Sequence, residues 1–339
     1  MHKNIFLQTK NSQSMRILVT GGLGFIGSNF ILHAFRNNPE FRITNLDAEF
    51  IGSNKNNLKD VFGKKNYTQV KGNITNRSTI DKLVRNCDVV FNFAAESHVD
   101  RSIEKPKSFF NSNIIGTYSI LESIRKFDKK LIHISTDEVF GSLKKGHAGE
   151  EYPFNPSSPY AASKASAELL IKSYFTTYGI DVITTRCTNN YGPRQFPEKL
   201  IPKIILFAIK NKPIPIYGNG KNVRDWIFVY DHCDAIMKVF QKGRKGQSYN
   251  IGSNNELDNN TIVKRILRLM KKPTSLIRYV GDRPGHDFRY SLDTTKIRRE
   301  VGWKPKVNFE DGLSMTINWY LNNQNWLRSI SKRDIGRTK

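Results

Sequence analysis

The sequence predicts an open α/β protein: a doubly wound parallel sheet with helices on both faces and a smaller lobe attached. Three observations carry that prediction. Short apolar runs recur through the first half of the chain, helical patterns fill the intervals between them, and a glycine-rich turn closes the first run. Strands alternating with helices pair in parallel through right-handed crossovers, which place helices on both sides of one sheet.

The first run is Ile17-Leu18-Val19, which ends at a glycine turn as a buried parallel strand should. Ile43-Thr44-Asn45-Leu46, Val89-Val90-Phe91-Asn92-Phe93, Leu131-Ile132-His133-Ile134 and Val182-Ile183-Thr184 repeat it. Helices are expected across Ile80 to Val84, Phe109 to Phe127 and Tyr160 to Tyr178. After Gly192 the texture changes, with Pro193, Pro197, Pro202, Pro213 and Pro215 crowded together. Ile227-Phe228-Val229 and Tyr249-Asn250-Ile251 again read as strands, so the second half is expected to return to the sheet near 226–231 and 249–251.

Composition narrows the classes. Among 339 residues, 54 lysines and arginines against 30 acids give a formal charge of +24. That surplus favours anionic partners but says nothing about fold. No apolar run approaches the roughly 18 residues of a membrane span. Cys87, Cys187 and Cys233 are scattered and odd in number, which disfavours a disulfide scaffold and fits a reducing, cytoplasmic setting. No C-x-x-C or H-E-x-x-H pattern is present, so no metal site is expected. The stretch 1–14 has only Ile5-Phe6-Leu7 as an apolar core, too short for a secretory signal, and reads as an extension.

Gly21, Gly24 and Gly27 lie in a turn that follows a strand and opens a helix. There, glycines let the backbone turn tightly and approach a pyrophosphate, whose charge rests on the helix N-terminus. The spacing is G-x-x-G-x-x-G. Asp47 closes the next strand and can accept from ribose hydroxyls while repelling a 2′-phosphate, so NAD is preferred to NADP. The expected organisation is an extension over 1–14, a Rossmann NAD-binding domain over 15–190, an interleaved substrate lobe over 191–327 and a basic tail over 328–339.

Tyr160 and Lys164 share one face of a helix introduced by Ser157-Ser158-Pro159. A lysine cation beside a phenol favours the phenolate, and bringing a phenol from about 10 to 7 requires roughly 4 kcal/mol. The lysine together with a nicotinamide cation could supply it. Tyr67…Lys71 and Tyr217…Lys221 repeat the spacing without a helix beneath them. Thr136, Asp137 and Glu138 follow a buried strand and emerge at the carboxyl edge of the sheet, where open α/β proteins place ligands. Two adjacent carboxyls there are costly to ionise together, so one can serve as acid and its neighbour as base.

These pieces resemble the extended short-chain dehydrogenase/reductases and, within them, the nucleoside-diphosphate-glucose 4,6-dehydratases. The likeness runs from about Met15 to Trp326. It is carried by Ala94-Ala95-Glu96-Ser97-His98-Val99-Asp100-Arg101-Ser102, Ser135-Thr136-Asp137-Glu138-Val139, Asn189-Asn190-Tyr191-Gly192-Pro193, Asn222-Val223-Arg224-Asp225-Trp226 and Arg283-Pro284-Gly285-His286-Asp287. The resemblance implies that Tyr160, primed by Lys164, takes the O4 proton while NAD takes the C4 hydride. Glu138 then removes the C5 proton, Asp137 protonates the departing C6 hydroxyl, and Thr136 bonds near O4.

Cofactor contacts implied by the likeness are Phe25 and Ile26 at the pyrophosphate, Asp47 at the ribose, and Asn73 with Ile74 at adenine. Ala94, Ala95, Ser112 and Asn190 complete that set. The nucleoside-diphosphate-glucose substrate would meet Ser97, Asn189, Lys199, Leu200, Tyr217, Arg224, Asn259, Arg283 and His286, with the two arginines as diphosphate clamps. Two residues depart from the family pattern. Asn73 stands where aspartate is usual, its amide oxygen still able to accept from adenine N6, and Phe140 replaces a tyrosine.

Kinship also implies a homodimer through a four-helix bundle built from the helices at 109–127 and 160–178, and a rhamnose-type deoxysugar pathway. An NAD-dependent sugar-nucleotide epimerase or decarboxylase is the alternative, sharing Tyr160 and Lys164 without the acid pair. A basic nucleic-acid-binding protein is the distant one: no zinc-finger, basic-zipper or RNP pattern supports it, and the lysines are dispersed.

Overall fold

The computed structural model describes residues 14–330. The expected 1–14 extension and the 331–339 part of the tail lie outside the described residues, save Ser14. Seven parallel strands form the main sheet: β1 (Arg16–Thr20), β2 (Arg42–Asp47), β3 (Tyr67–Lys71), β4 (Val89–Asn92), β5 (Lys130–Thr136), β6 (Val182–Cys187) and, after β7 (Asn189–Tyr191), β8 (Ile214–Tyr217) and β9 (Val223–Phe228), β10 (Ser248–Ile251). Their order is β10-β6-β5-β4-β1-β2-β3. The chain therefore reverses direction across the sheet between β1 and β4, and a crevice opens outside their carboxyl ends.

Strand alternation sorts the core. Ile17 and Val19 face one side of β1 and Leu18 the other, and Phe91 and Val90, Ile132 and Leu131, Ile183 and Val182 divide the same way. One face is covered by α1 (Phe25–Asn37), the other by α2 (Arg77–Arg85). Short helices α3 (Val99–Glu104) and α4 (Pro106–Phe109) lead through a π-helical turn at Phe110–Ile115 into α5 (Gly116–Phe127), beside which runs α6 (Pro159–Tyr178). The helix expected over 109–127 is present without a break, but it begins earlier, at Pro106, and widens into π geometry over 110–115. The π turn places Ser112 on the crevice while Asn113 exchanges hydrogen bonds with the Glu96 backbone.

The strand over Tyr67–Lys71 was not anticipated. Its extended backbone separates residues four apart by about 13 Å, so that Y-x-x-x-K pair never meets.

The second lobe has its own core of Tyr191, Ile204, Ile216, Trp226, Phe228, Ile266, Leu313 and Tyr320, among others. It gathers α7 (Leu200–Ile209), β11 (Glu256–Asp258), α9 (Asn259–Leu269), β12 (Ile277–Val280), α11 (Phe309–Asn322) and α12 (Gln324–Arg328), whereas α8 (Val229–Lys242) and α10 (Thr295–Val301) bury their apolar residues in the main-sheet core. β10 joins the main sheet beside β6, but the expected return near 226–231 does not occur. β9 instead pairs with β7 and β11 in a separate three-stranded sheet. The reason is that Trp226 and Phe228 pack into the second core, while Ile227 and, just past the strand, Val229 reach the first. Ile330 is also buried in the second core, so packing continues two residues past the expected start of the tail. Among the described residues no helix is long and apolar enough to cross a membrane.

Candidate active site

The glycine turn is built by close approach. Gly21 has φ +72°, and a Cβ there would lie 2.7 Å from the Ala94 backbone. A Cβ on Gly27 would lie 2.5 Å from Gly21 O, so the first turn of α1 can press on the loop only as glycine. Gly24 is different, since its Cβ position meets only Gly21 O, at 3.2 Å, and otherwise faces the crevice. Gly24 caps α1 with no side-chain acceptor, and no acidic residue occupies its first turn. The N–H groups at that helix start are therefore aimed at an anion. This cradle fits a dinucleotide pyrophosphate.

Asp47, at the end of β2, is buried and already at work. Its carboxylate accepts from the Leu23 N–H at 2.9 Å, the Glu49 N–H at 2.8 Å and the Ser53 hydroxyl at 2.8 Å. It thereby fastens the glycine loop to the segment 48–53, and burial raises its pKa despite those bonds. Asn73 lines the crevice and is engaged in a local turn. Its amide oxygen accepts from the Thr75 N–H at 2.9 Å and the Thr75 hydroxyl at 3.0 Å, so both lone pairs serve a local turn rather than adenine N6. Its NH2 group is left as the group to offer.

One crevice, with about 300 Å³ of internal space, is lined by Gly21, Gly24, Phe25, Ile26, Gly27, Asp47, Asn73, Ile74, Ala94, Ala95, Ser112, Tyr160, Lys164 and Asn190. Thr136, Asp137, Glu138, Ser97, Asn189 and Lys199 line it too. Ser135 Oγ, Asp137 Oδ2, Thr188 Oγ1 and Asn189 Oδ1 are buried along its walls without a protein partner among the described residues. Such groups suit a polar ligand.

At the carboxyl end of β5 the chain turns into one 3₁₀ turn, Asp137–Phe140. Thr136 Oγ1 accepts the Glu138 N–H at 3.3 Å and donates to Asp137 Oδ1 at 3.1 Å. Val139 and Phe140 anchor the turn in a small core. The Phe140 ring packs edge-on to Tyr152, against Phe154, and under the Arg186 guanidinium, 5.0 Å from its centroid. Phe140 thus holds the turn by packing, without a hydroxyl. Asp137 is 3% exposed, and burial, then the Glu138 charge, pushes its pKa well above the carboxylate range. Burial also raises Glu138, opposed by the charges of Arg283, Lys199 and Arg224. The pair can therefore hold a proton on one member beside a base on the other.

Tyr160 stands in the first turn of α6, where Ser158 Oγ accepts the Ala161 N–H at 3.1 Å and Pro159 fixes the start. Burial, then the Glu138 charge, raises the phenol well above its usual value, against the help of Thr136. This reverses the direction expected from the lysine alone. Lys164 Nζ donates to Ile134 O at 2.7 Å, and burial brings its pKa down to about 8. Desolvation thus outweighs the one ammonium, and further positive charge is needed in the crevice before the phenol becomes a base.

The other candidates lie beyond that cavity. Arg224 donates to Val223 O, Phe288 O and Asp287 O and stacks on Tyr290 at 4.2 Å, so its fork is spent on the backbone of 287–288. Arg283 pairs with Asp100 Oδ1 at 3.1 Å, and Tyr217 donates to Asp100 Oδ2 at 3.1 Å. His286 contacts Asp282 at 2.6 Å. The charges of Arg224 and Arg283 still reach Glu138. Lys199, on the cavity wall itself, donates to Ser97 O at 2.7 Å, while Leu200 opens α7 and Asn259 is buried at the start of α9, both outside it. Asp100, Glu198 and Arg101 were missed as site residues. Asp100 and Arg101 stood in the Ala94–Ser102 stretch, but their partners Arg283, Tyr217 and Glu198 are distant in sequence.

Comparison with known proteins agrees with this geometry. Residues 18–316 match the family model described as GDP-mannose 4,6 dehydratase. The chain is 46% identical to a dTDP-glucose 4,6-dehydratase of Xanthomonas campestris pv. campestris, covering 92% of this chain and 95% of that one. DesIV, the dTDP-glucose 4,6-dehydratase of Streptomyces venezuelae, solved with NAD bound, superposes with a TM-score of 0.91 at 42% identity, over 94% of this chain and all of that one. The Bacillus anthracis enzyme of the same name, in complex with NAD, gives 0.88 at 45% identity, over 94% and 100%.

Proposed function

The chain belongs to the GDP-mannose 4,6 dehydratase family, and on that premise we propose that it dehydrates dTDP-glucose to the 4-keto-6-deoxy sugar with NAD as cofactor. The observation that carries the reading is the meeting of the Thr136-Asp137-Glu138 turn and Tyr160 in the crevice headed by the glycine turn. An epimerase needs the phenol and the nucleotide cradle but has no use for a buried acid beside a second carboxyl.

Gly24, Phe25, Ile26 and Asp47 would hold the cofactor, with Ile74, Ala94, Ala95 and Ser112 shaping the adenosine side. When bound, NAD supplies the oxidant for C4, the hydride that later reduces C6, and positive charge. Tyr160 takes the proton of the substrate O4, with Thr136 and Lys164 favouring the phenolate. Oxidation at C4 acidifies the C5 hydrogen, which Glu138 removes as the base. Asp137, kept protonated by burial and by its neighbour's charge, delivers its proton to the leaving C6 hydroxyl, and water departs across C5–C6. Arg283 and Arg224, with Lys199, offer the positive surface for the diphosphate.

A homodimer and a cytoplasmic, rhamnose-type pathway complete the reading. Phe110, Ile115, Tyr118, Leu169 and Tyr178 are all exposed on the helices from 106 to 127 and on α6. Pairing them about a two-fold axis would bury an apolar four-helix bundle. The three buried cysteines are free, as suits a reducing compartment. The decisive experiment incubates the NAD-loaded protein with dTDP-glucose and with UDP-glucose in deuterated water. A product absorbing in alkali, with one solvent deuterium at C5, is expected from dTDP-glucose. Turnover without loss of water would overturn the reading.

A further inference from the structure

A row of polar groups that the mechanism does not use lies under the lysine. Thr20 on β1 donates its hydroxyl to Asn92 Oδ1 at 2.6 Å, and Asn92 Nδ2 on β4 meets His133 Nδ1 on β5 at 3.1 Å. His133 Nε2 then lies 3.4 Å from Lys164 Nζ. Strand register places Thr20 opposite Asn92 and Asn92 opposite His133, so three adjacent strands build the row. All four side chains are buried, where an unmatched donor or acceptor is costly.

We propose that His133 is a positioning residue that registers the charge of Lys164, changing tautomer as Asn92 turns its amide over. The donor count requires it. An amide nitrogen and an ammonium both only donate, and a neutral imidazole accepts at one nitrogen. With Asn92 Nδ2 donating to Nδ1, the ring proton sits on Nε2 and faces Nζ, which must then accept as a neutral amine. With Lys164 charged, Nζ donates to Nε2, the ring proton moves to Nδ1 and donates to Asn92 Oδ1, and the amide NH2 turns to Thr20 Oγ1. The ring carries one proton in both states, so the net proton gained is the one on Nζ.

The surroundings leave His133 as the group that adapts. Burial and the Lys164 charge keep the ring far below the usual imidazole range, so it stays neutral. On α6, Glu168 is tied to Arg186 by a 2.7 Å ion pair, and Tyr160 is held as a phenol. From β6, burial pushes the Cys187 thiol up to about 12. Asp137 and Glu138, past the end of β5, act on Tyr160.

The test labels the histidine rings and the lysine Nζ with ¹⁵N in the full-length protein and follows them from pH 6.5 to 9.5, His133 being assigned through His133→Gln. His133 should carry its proton on Nδ1 below the Lys164 transition and on Nε2 above it, with one shared midpoint. A single tautomer across the range overturns the proposal. Asn92→Asp in its ionised form offers only acceptors, so it should lock the Nδ1–H form and raise the Lys164 midpoint by at least one unit. The alkaline limb of kcat should move up equally, with KM for the sugar unchanged. Lower kcat with neither midpoint moved would mark a structural role and overturn it. The kinetic arm rests on the role given to Lys164 above; the spectra of the unmodified protein do not.

Discussion

The crevice and the region beyond it, the two walls of the proposed site, are made of different material. On the cofactor side, recognition is backbone: the Gly21 to Gly27 turn, the open N-terminus of α1 and one carboxylate that ties loops together. On the proposed substrate side it is polar side chains, each already engaged by the protein, with Arg283 on Asp100, His286 on Asp282 and Arg224 on the carbonyls of 287–288. The first wall is formed before anything binds. On the proposed reading the second exchanges partners when a diphosphate arrives, which costs the existing pairs but screens out ligands that cannot replace them.

That contrast can be broken at several points. The largest effect is expected on the chemistry between the walls. Glu138→Gln should lower kcat by about 10²- to 10⁴-fold, the usual range for a lost general base, and abolish deuterium uptake at C5. NAD affinity, measured by calorimetry, should stay unchanged. On the rigid wall, Gly21→Ala forces a side chain into φ +72° and against the Ala94 backbone. Strain of about 1–3 kcal/mol should lower Tm by several degrees and weaken NAD binding as the turn shifts.

On the adaptable wall, Arg283→Ala should raise KM for the nucleotide sugar by roughly ten- to a hundredfold, the worth of one charge-assisted hydrogen bond. NAD binding and Tm should hardly move. An equal loss of NAD affinity would erase the distinction between the walls.

The smallest effect concerns pH. The folded state holds the Asp137 proton well above the carboxylate range, while the unfolded chain releases it near pH 4. Between those points the folded form binds more protons, so this group's contribution to stability falls as pH rises. Asp137→Asn should remove that slope and stabilise the protein at pH 7 by about 1 kcal/mol or more, even as activity is lost. Thermal unfolding at pH 5 and pH 7 for both proteins checks it.

Much of this was legible from residues. The strand cores were visible as apolar runs, and Ser158 with Pro159 announced the start of the helix under Tyr160. The glycine spacing placed the cradle, and Thr136 to Glu138 were placed at a sheet edge by the strand before them. The local turn at Asn73 was not foreseen: an asparagine two residues before a threonine bonds its own turn. For Tyr160 a motif shows the neighbouring cation but not the burial that opposes it.

By itself the sequence determined the apolar runs that become the central strands, where backbone must be glycine, and which side chains share a helix face, since those follow from dihedral preference and neighbours a turn away. Tertiary structure alone decided the partners. Asp100 finds Arg283 across 183 residues, Thr20 finds Asn92 across 72, and β9 leaves the main sheet for a core of its own. Charge and hydrogen-bond pairing falls off within a few ångströms, so it is fixed only when packing brings distant segments together.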